Sequence, residues 1–282
     1  SRRRHTRYGT VTGVQTCALP ICAQLILHTW LPDAIEGPTP VSALIHAATI
    51  VTAGIYLLVR IIPIICKSRF SLNLPLWLGM ATSLLSAIIG LTQLDLKRVV
   101  AFSTGSQLGL ITSALGVSNI APTFSLHHLL IHAFFKAGLF ISCGCILHMV
   151  YNMQDIRHMG ISRYPYILPT IFTVTGLSLI ALPMISGNYR KEYILISMYT
   201  YSSTYRISFY ICNLTSMFSA WYSICILIYL FIIPPTIPSL YMKIPNFNYS
   251  PITEVRLLII FTIMVFSGVY QIGRAHVWTP VT

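Results

Sequence analysis

Acidic residues are nearly missing from this chain. Asp and Glu number 6 in 282 residues, against 18 Lys and Arg, and the four types together make up 9% of the sequence. A soluble domain carries about a quarter of its residues charged, so the charge for a hydrated surface is not there. Apolar residues take its place, at 55%, with a mean hydropathy of +0.73. Several runs are long enough to cross about 30 Å of hydrocarbon, which takes roughly 20 helical residues. A CxxC pair is also missing. The 7 cysteines are scattered, and Cys143 and Cys145 sit one residue apart inside an apolar run. They read as small apolar residues of helices rather than metal or disulfide ligands. No Gly-rich phosphate loop follows a strand, and no cysteine set could hold an iron–sulfur cluster. The chain itself is therefore expected to hold no cofactor and no metal. The formal net charge of +12 would suggest nucleic acid in a soluble protein. Here the basic residues stand mostly between apolar runs, as positive-inside loops require. None interleave with aromatics on a polar face, which argues against a nucleic-acid partner.

The two ends read differently from the middle. Residues 1–21 have neither the apolar stretch of a signal peptide nor a clean amphipathic face. Val11 to Ile21 reads as an in-frame translation of a sequencing adapter, and residues 272–282 as that of the opposite adapter. On this reading Arg2, Arg3, Arg4, Arg7 and Arg274 are artefacts, and 22–271 is one transmembrane domain, a fragment open at both ends. Trp278 falls where the adapter has TGA, a codon that many mitochondria translate as tryptophan. A mitochondrial gene is expected.

Within 22–271 the apolar runs fall at 40–59, 75–92, 99–117, 123–150, 167–200, 205–233 and 257–271, and 22–35 reads as the tail of an earlier helix. Pro38 and Pro40 suit the start of the first full span, since proline costs nothing in a first helical turn. The run at 167–200 is interrupted by Pro183, Gly187 and Asn188, with Arg190, Lys191 and Glu192 directly after. Broken helices inside a bilayer are tolerated only where the freed backbone lines protein or water, and they mark binding sites in transporters. The plainer alternative is two helices meeting at a surface turn, and both stay open on sequence grounds. The fold class is all-α: a polytopic membrane bundle of about seven spans plus a helix remnant.

The stretch HHLLIHAFFKAGLF, 127–140, puts ionisable groups into an apolar helix. His128, His132 and Lys136 are spaced i, i+4, i+8, and each step of four turns the helix by about 40°, so all three share one narrow stripe rising about 12 Å. Ionisable residues in a membrane normally face a cavity or a partner. Histidine titrates near neutral pH, and a desolvated lysine can take up and release a proton. Such a stripe is what a proton relay needs. The alternative is a snorkelling lysine with histidines capped by hydroxyl or backbone groups, but three aligned groups favour the relay. His127 points off the stripe. His46, near the start of the first full span, would alone be an ordinary helix histidine, and Lys191 would alone be a helix end at the surface. Asp33 and Glu36 bracket a turn.

Four motifs share one order with a known family. HTWLPDAIEGPTPVSALIHAATIVTAGIYLL (28–58), LTQLDLKRVVAFSTGSQLGL (91–110), HLLIHAFFKAGLF (128–140) and QDIRHMG (154–160) resemble the chain 5 subunits of NADH:ubiquinone oxidoreductase, respiratory complex I. The resemblance is strong over residues 23 to about 200 and thins through 205–271. It implies an antiporter-like bundle with two broken helices that drives protons across a membrane, powered by electron transfer on other subunits. Those subunits would hold NADH, FMN, the iron–sulfur clusters and ubiquinone. It implies a mitochondrial inner-membrane location and other membrane subunits of the complex as partners, with lipid. It also implies roles: Lys136 as central proton carrier, His132, His128 and His46 as connecting stations, and Lys191 as the exit-side group. The family commonly reads GFYSKD where this chain reads GNYRKE, so Asn188 stands in place of an aromatic. A family lysine two residues before Ala23-Gln24-Leu25 falls on Ile21 here, so the chain as given is not expected to pump. Two rivals are the large subunit of a multi-subunit sodium/proton antiporter and a decayed gene copy.

Overall fold

The computed structural model describes residues 21–233, apart from 26, 68, 118–120, 151–152, 161–166, 184 and 202. The expected span at 257–271 and both expected foreign ends (residue 21 excepted) lie outside the described residues. Helix α1 is Trp30–Ala34. Helix α2, Thr39–Val41, passes without a break through a π-helix, Ser42–Thr49, into α3, Ile50–Ile65. Then come α4 (Arg69–Thr92), α5 (Leu96–Leu115), α6 (Ala121–Met149), a 3-10 turn at Ile156–His158, α7 (Ile167–Ile180), α8 (Ser186–Tyr201) and α9 (Ser203–Phe231).

Helix α5 is the centre of the bundle. Of its residues only Lys97, Arg98 and Phe102 escape full burial, and α4, α6 and α9 pack around it. It is also rich in polar residues, and its buried hydroxyls satisfy themselves locally. Ser103, Ser106, Thr112 and Ser113 each donate to the carbonyl three residues back, at 2.8–3.0 Å. The antiparallel pair α4–α5 crosses at two glycines. A Cβ on Gly109 would stand 2.5 Å from Ser83 N and 2.7 Å from Gly79 O, so only glycine permits this approach. Small residues at crossings are how membrane helices gain van der Waals contact without a hydrophobic drive.

The turn between α4 and α5 is pinned by the 153–159 link. Leu96 N donates to Gln154 O and Ile156 N to Leu94 O, both at 2.9 Å, around a single bridge from Asp95 to Asp155. Asp155 then caps the 3-10 turn by accepting from Arg157 N at 3.0 Å, and the Arg157 guanidinium lies 2.6 Å from Asp155 Oδ2. That guanidinium hydrogen bond holds the Asp155 carboxyl down at about 2.

Three expectations need correction. Residues 22–35 do not continue one helix: Ala23 takes a left-handed conformation at φ 51°, and among the described residues of 22–35 only the single turn α1 is helical. The first span does not stop at residue 59 but runs to Ile65, with Arg60 exposed and Pro63 in the last turn. Proline there removes one backbone hydrogen bond, the one to the carbonyl four residues back, near the end of the helix. Helix α4 starts at Arg69, ahead of Pro75, rather than at 75. Helices Ser42–Ile65, Phe70–Thr92, Pro122–Met149 and Tyr205–Phe231 are long and apolar enough to cross a membrane. Helix α5 falls short on composition because its polar side chains point inward, and α7 and α8 are shorter because the chain breaks between them. Large apolar side chains such as Phe70, Met217 and Trp221 face outward, as a lipid-facing surface requires.

Candidate functional site

The expected stripe on α6 forms as one buried row. His128 is 2% exposed, and His132 and Lys136 are fully buried. Helix α5 supplies the facing partners. Lys136 Nζ donates to Val100 O at 3.2 Å and to Ser103 Oγ, and His128 Nε2 meets Gln107 Oε1 at 3.3 Å. Ser103 and Gln107 are themselves i, i+4, so two matched stripes face each other across the antiparallel α5–α6 contact. His132, between them, stands edge-on to Phe135 with ring centroids 5.2 Å apart. Neither of its ring nitrogens has a hydrogen-bond partner among the described residues. His127 is exposed, its ring bonded to Thr123 O at 2.7 Å, off the row as expected.

The interruption between α7 and α8 is buried on one side only: Leu182 and Pro183 are exposed, while Gly187 and Asn188 are buried. Ala181 takes φ 69°, and a Cβ on Gly187 would collide with the Ser178 carbonyl, so the two segments stay in close contact. Asn188 is 9% exposed. With its amide nitrogen turned toward acceptors, it donates to Ala181 O at 2.9 Å and Glu192 Oε1 at 3.1 Å. A freed carbonyl at the break is thereby satisfied. Lys191 is 4% exposed and Arg190 8%. Lys191 Nζ and Arg190 Nε have no hydrogen-bond partner among the described residues. Phe124 of α6 stacks on Tyr193 of α8, 5.3 Å apart and 9° from parallel. Helix α8, with Lys191 and Arg190 buried on it, packs against α6, which carries Lys136, His132 and His128. The geometry favours a broken helix over two helices meeting at a surface turn.

His46 lies on the π-helix, which packs against α6, but its side chain is outside the described residues. A π segment inside an α-helix commonly accompanies a functional site. Two residues of the site carried no signal on their own in the sequence: Ser103 and Gln107. They stand four apart in a span already rich in serine and threonine, so their spacing alone does not single them out.

The two helices hold three buried cationic side chains, Lys136, Arg190 and Lys191, and no described Asp or Glu is buried with them. In a low-dielectric interior, charge on one such group disfavours charge on its neighbour. That coupling suits stepwise passage of a proton. Among the described residues no cluster of His, Cys, Asp or Glu could hold a metal ion.

A helix bundle with a buried His–Lys row on one long helix and a lysine beside a broken one has the architecture of an antiporter-like membrane domain. Sequence comparison agrees: the family described as NADH:quinone oxidoreductase/Mrp antiporter, TM matches residues 13–219, and the chain belongs to it. Among its relatives are proteins named NADH-ubiquinone oxidoreductase chain 5. That of Trichophyton rubrum is 45% identical over 225 residues, covering 78% of this chain and 34% of the relative. That of Rhizopus stolonifer is 42% identical over 263 residues, covering 91% and 39%. That of Arabidopsis thaliana is 45% identical over 215 residues, covering 75% and 32%. The chain thus spans about a third of the length of the curated relatives it matches. A solved structure, the Mrp complex from Dietzia sp. DQ12-45-1b, superposes with a TM-score of 0.77 at 25% identity, covering 90% of this chain and 27% of that one.

Proposed function

We propose that this chain is part of a proton-translocating membrane subunit of NADH:ubiquinone oxidoreductase. The observation that carries the reading is the buried row on α6, with Lys136 at its centre bonded to α5. The chain 5 relatives at 42–45% identity support it. On this reading a proton passes among Lys136, His132 and His128, with His46 connecting on the π-helix side and Lys191 serving as the exit group. Electron transfer from NADH to quinone occurs on other subunits, which hold the flavin, iron–sulfur clusters and ubiquinone. Other membrane subunits and lipid surround the chain, in the mitochondrial inner membrane. The test is Lys136→Met in the complete subunit within its assembled complex. Pumping should stop while the complex still assembles, and full pumping by that variant would sink the reading.

The match to the Mrp complex keeps a second reading alive: a subunit of a sodium/proton antiporter with no redox partner. Sodium-dependent proton exchange in vesicles, without NADH, would favour it.

A further inference from the structure

Helix α9 turns a long apolar face away from the bundle. Ile207, Tyr210, Leu214, Met217 and Trp221 are 42–67% exposed and follow one another at alternating steps of three and four. That is the spacing of a seam between two packed helices. It is also the spacing of any outward helical face, and lipid alone could cover it.

One residue beside this face needs more than lipid. Asn213 is exposed and stands four residues from the middle of Ser203–Phe231. That is about 6 Å along the axis, well inside about 30 Å of hydrocarbon. Outward hydroxyls on other helices spend their one proton on their own backbone: Thr49 Oγ1 donates to Ile45 O and Thr200 Oγ1 to Ile196 O, both at 3.1 Å. A carboxamide has two protons to donate and an oxygen that accepts. Ser216 Oγ lies 3.3 Å from Asn213 Oδ1, but its single proton goes to Asn213 O at 2.6 Å. No hydrogen bond among the described residues engages Asn213 Nδ2. Turning the amide over brings the nitrogen to Ser216 and leaves the oxygen bare instead. Hydrocarbon has no water to complete such bonds, and leaving them unmade there is costly. Lipid tails cannot supply the partner. A polar side chain on a second helix can, as it does across many membrane helix pairs.

We propose that the outward face of α9 docks a further membrane-spanning helix of the complete subunit, one that lies outside the described residues and presents a hydroxyl or carboxamide side chain to Asn213. Either group both donates and accepts, so it serves either orientation of the Asn213 amide. The subunit itself is the source. The curated relatives are about three times as long as this chain, so the complete subunit has further chain to lay on α9, and a helix tethered in the same chain meets it at high effective concentration. The proposal needs α9 to span a membrane, for which it is long and apolar enough, and is independent of what the row on α6 carries.

The experiment uses the complete subunit in its assembled complex, in membranes from cells supplied with photo-methionine. Met217, one turn from Asn213 and 66% exposed, then carries a diazirine that on illumination inserts into whatever covers it. Mass spectrometry should find Met217 joined to a peptide of the same subunit from outside residues 21–233, with a hydroxyl or carboxamide residue within one helical turn of the junction. A peptide of another subunit, lipid alone, or no adduct would each overturn the proposal. A double-mutant cycle tests the bond itself. Asn213→Leu should lower Tm, as should removing the polar group of the partner residue so found, and the double variant should lose no more than the larger single loss. At a lipid face Asn213→Leu would hold or raise Tm. That result, or additive losses in the double variant, would refute the bond.

Discussion

Alanine at Gly109 should damage this bundle far more than its size suggests. Its Cβ would stand 2.5 Å from Ser83 N, 2.6 Å from Thr82 Oγ1 and 2.7 Å from Gly79 O. Non-bonded heavy atoms settle near 3.5–4.0 Å, so α4 and α5 must part by roughly 1 Å. Two of the three obstacles are backbone atoms and cannot turn aside. Forcing one extra methyl into a packed interior costs about 1–3 kcal/mol, and the better helix propensity of alanine returns at most about 1 kcal/mol. In the complete subunit, about three times as long as this chain, each kcal/mol lowers Tm by about 1 °C, because the entropy of unfolding grows with length. Gly176 provides the control. Its added Cβ would meet nothing nearer than Leu227 Cδ1 at 4.0 Å, so Gly176→Ala should be neutral or slightly stabilising. Gly79→Ala strains the same crossing, and the double variant should lose less than the two single losses together. The assay is thermal unfolding of the purified complete subunit in detergent. Equal Tm values for Gly109→Ala and Gly176→Ala would refute the reasoning. Function offers a second reading, because α5 also carries Ser103 and Gln107. The Gln107–His128 bond is already 3.3 Å, and displacing α5 should weaken pumping before it prevents assembly.

Asn188→Ala should cost about 1–3 kcal/mol locally, since it orphans the Ala181 carbonyl at the break. Hydrogen exchange should quicken across 181–188 and stay unchanged in α5, whereas uniform exchange would contradict the capping role. Asp155 gives a pH dependence. Its folded value of about 2 lies below the ordinary carboxyl value of about 4. The stabilisation is therefore complete above about pH 4 and lost as pH falls through the folded value. Protection of the Leu96 and Ile156 amides, corrected for intrinsic exchange, should persist to about pH 3 and then fade, and Asp155→Asn should remove that pH dependence.

Much of the site was legible because helical spacing is rigid. His128, His132 and Lys136 had to share a stripe once 123–150 was a helix, and in an apolar helix that stripe had to face inward. The break at Pro183 and Gly187 was legible as a break, but not which side of it is buried. Asn188 reaches back across it to Ala181, a contact between residues on either side of the break that no local pattern announces. Gln107 and Ser103 were hidden for the opposite reason. Serine and glutamine in a membrane helix carry no charge to demand a partner, and only the α5–α6 crossing shows which groups they meet. The π-helix at Ser42–Thr49 had no local signature, since SALIHAAT reads equally well as α-helix. Residues 22–35 misled because Leu25–Leu27 and Trp30–Leu31 are apolar, while the left-handed turn at Ala23 and the Gly37–Pro38 break prevent a long helix.

The central claim is that Lys136 carries the proton. Its most direct test is proton translocation per NADH oxidised, with Lys136→Met in the complete subunit of the assembled, vesicle-reconstituted complex. Methionine keeps the length of the side chain and removes a buried charge, so assembly should survive. The account requires that the proton contribution of this subunit disappears while the complex remains intact. An unchanged ratio of protons to NADH in that variant would contradict it.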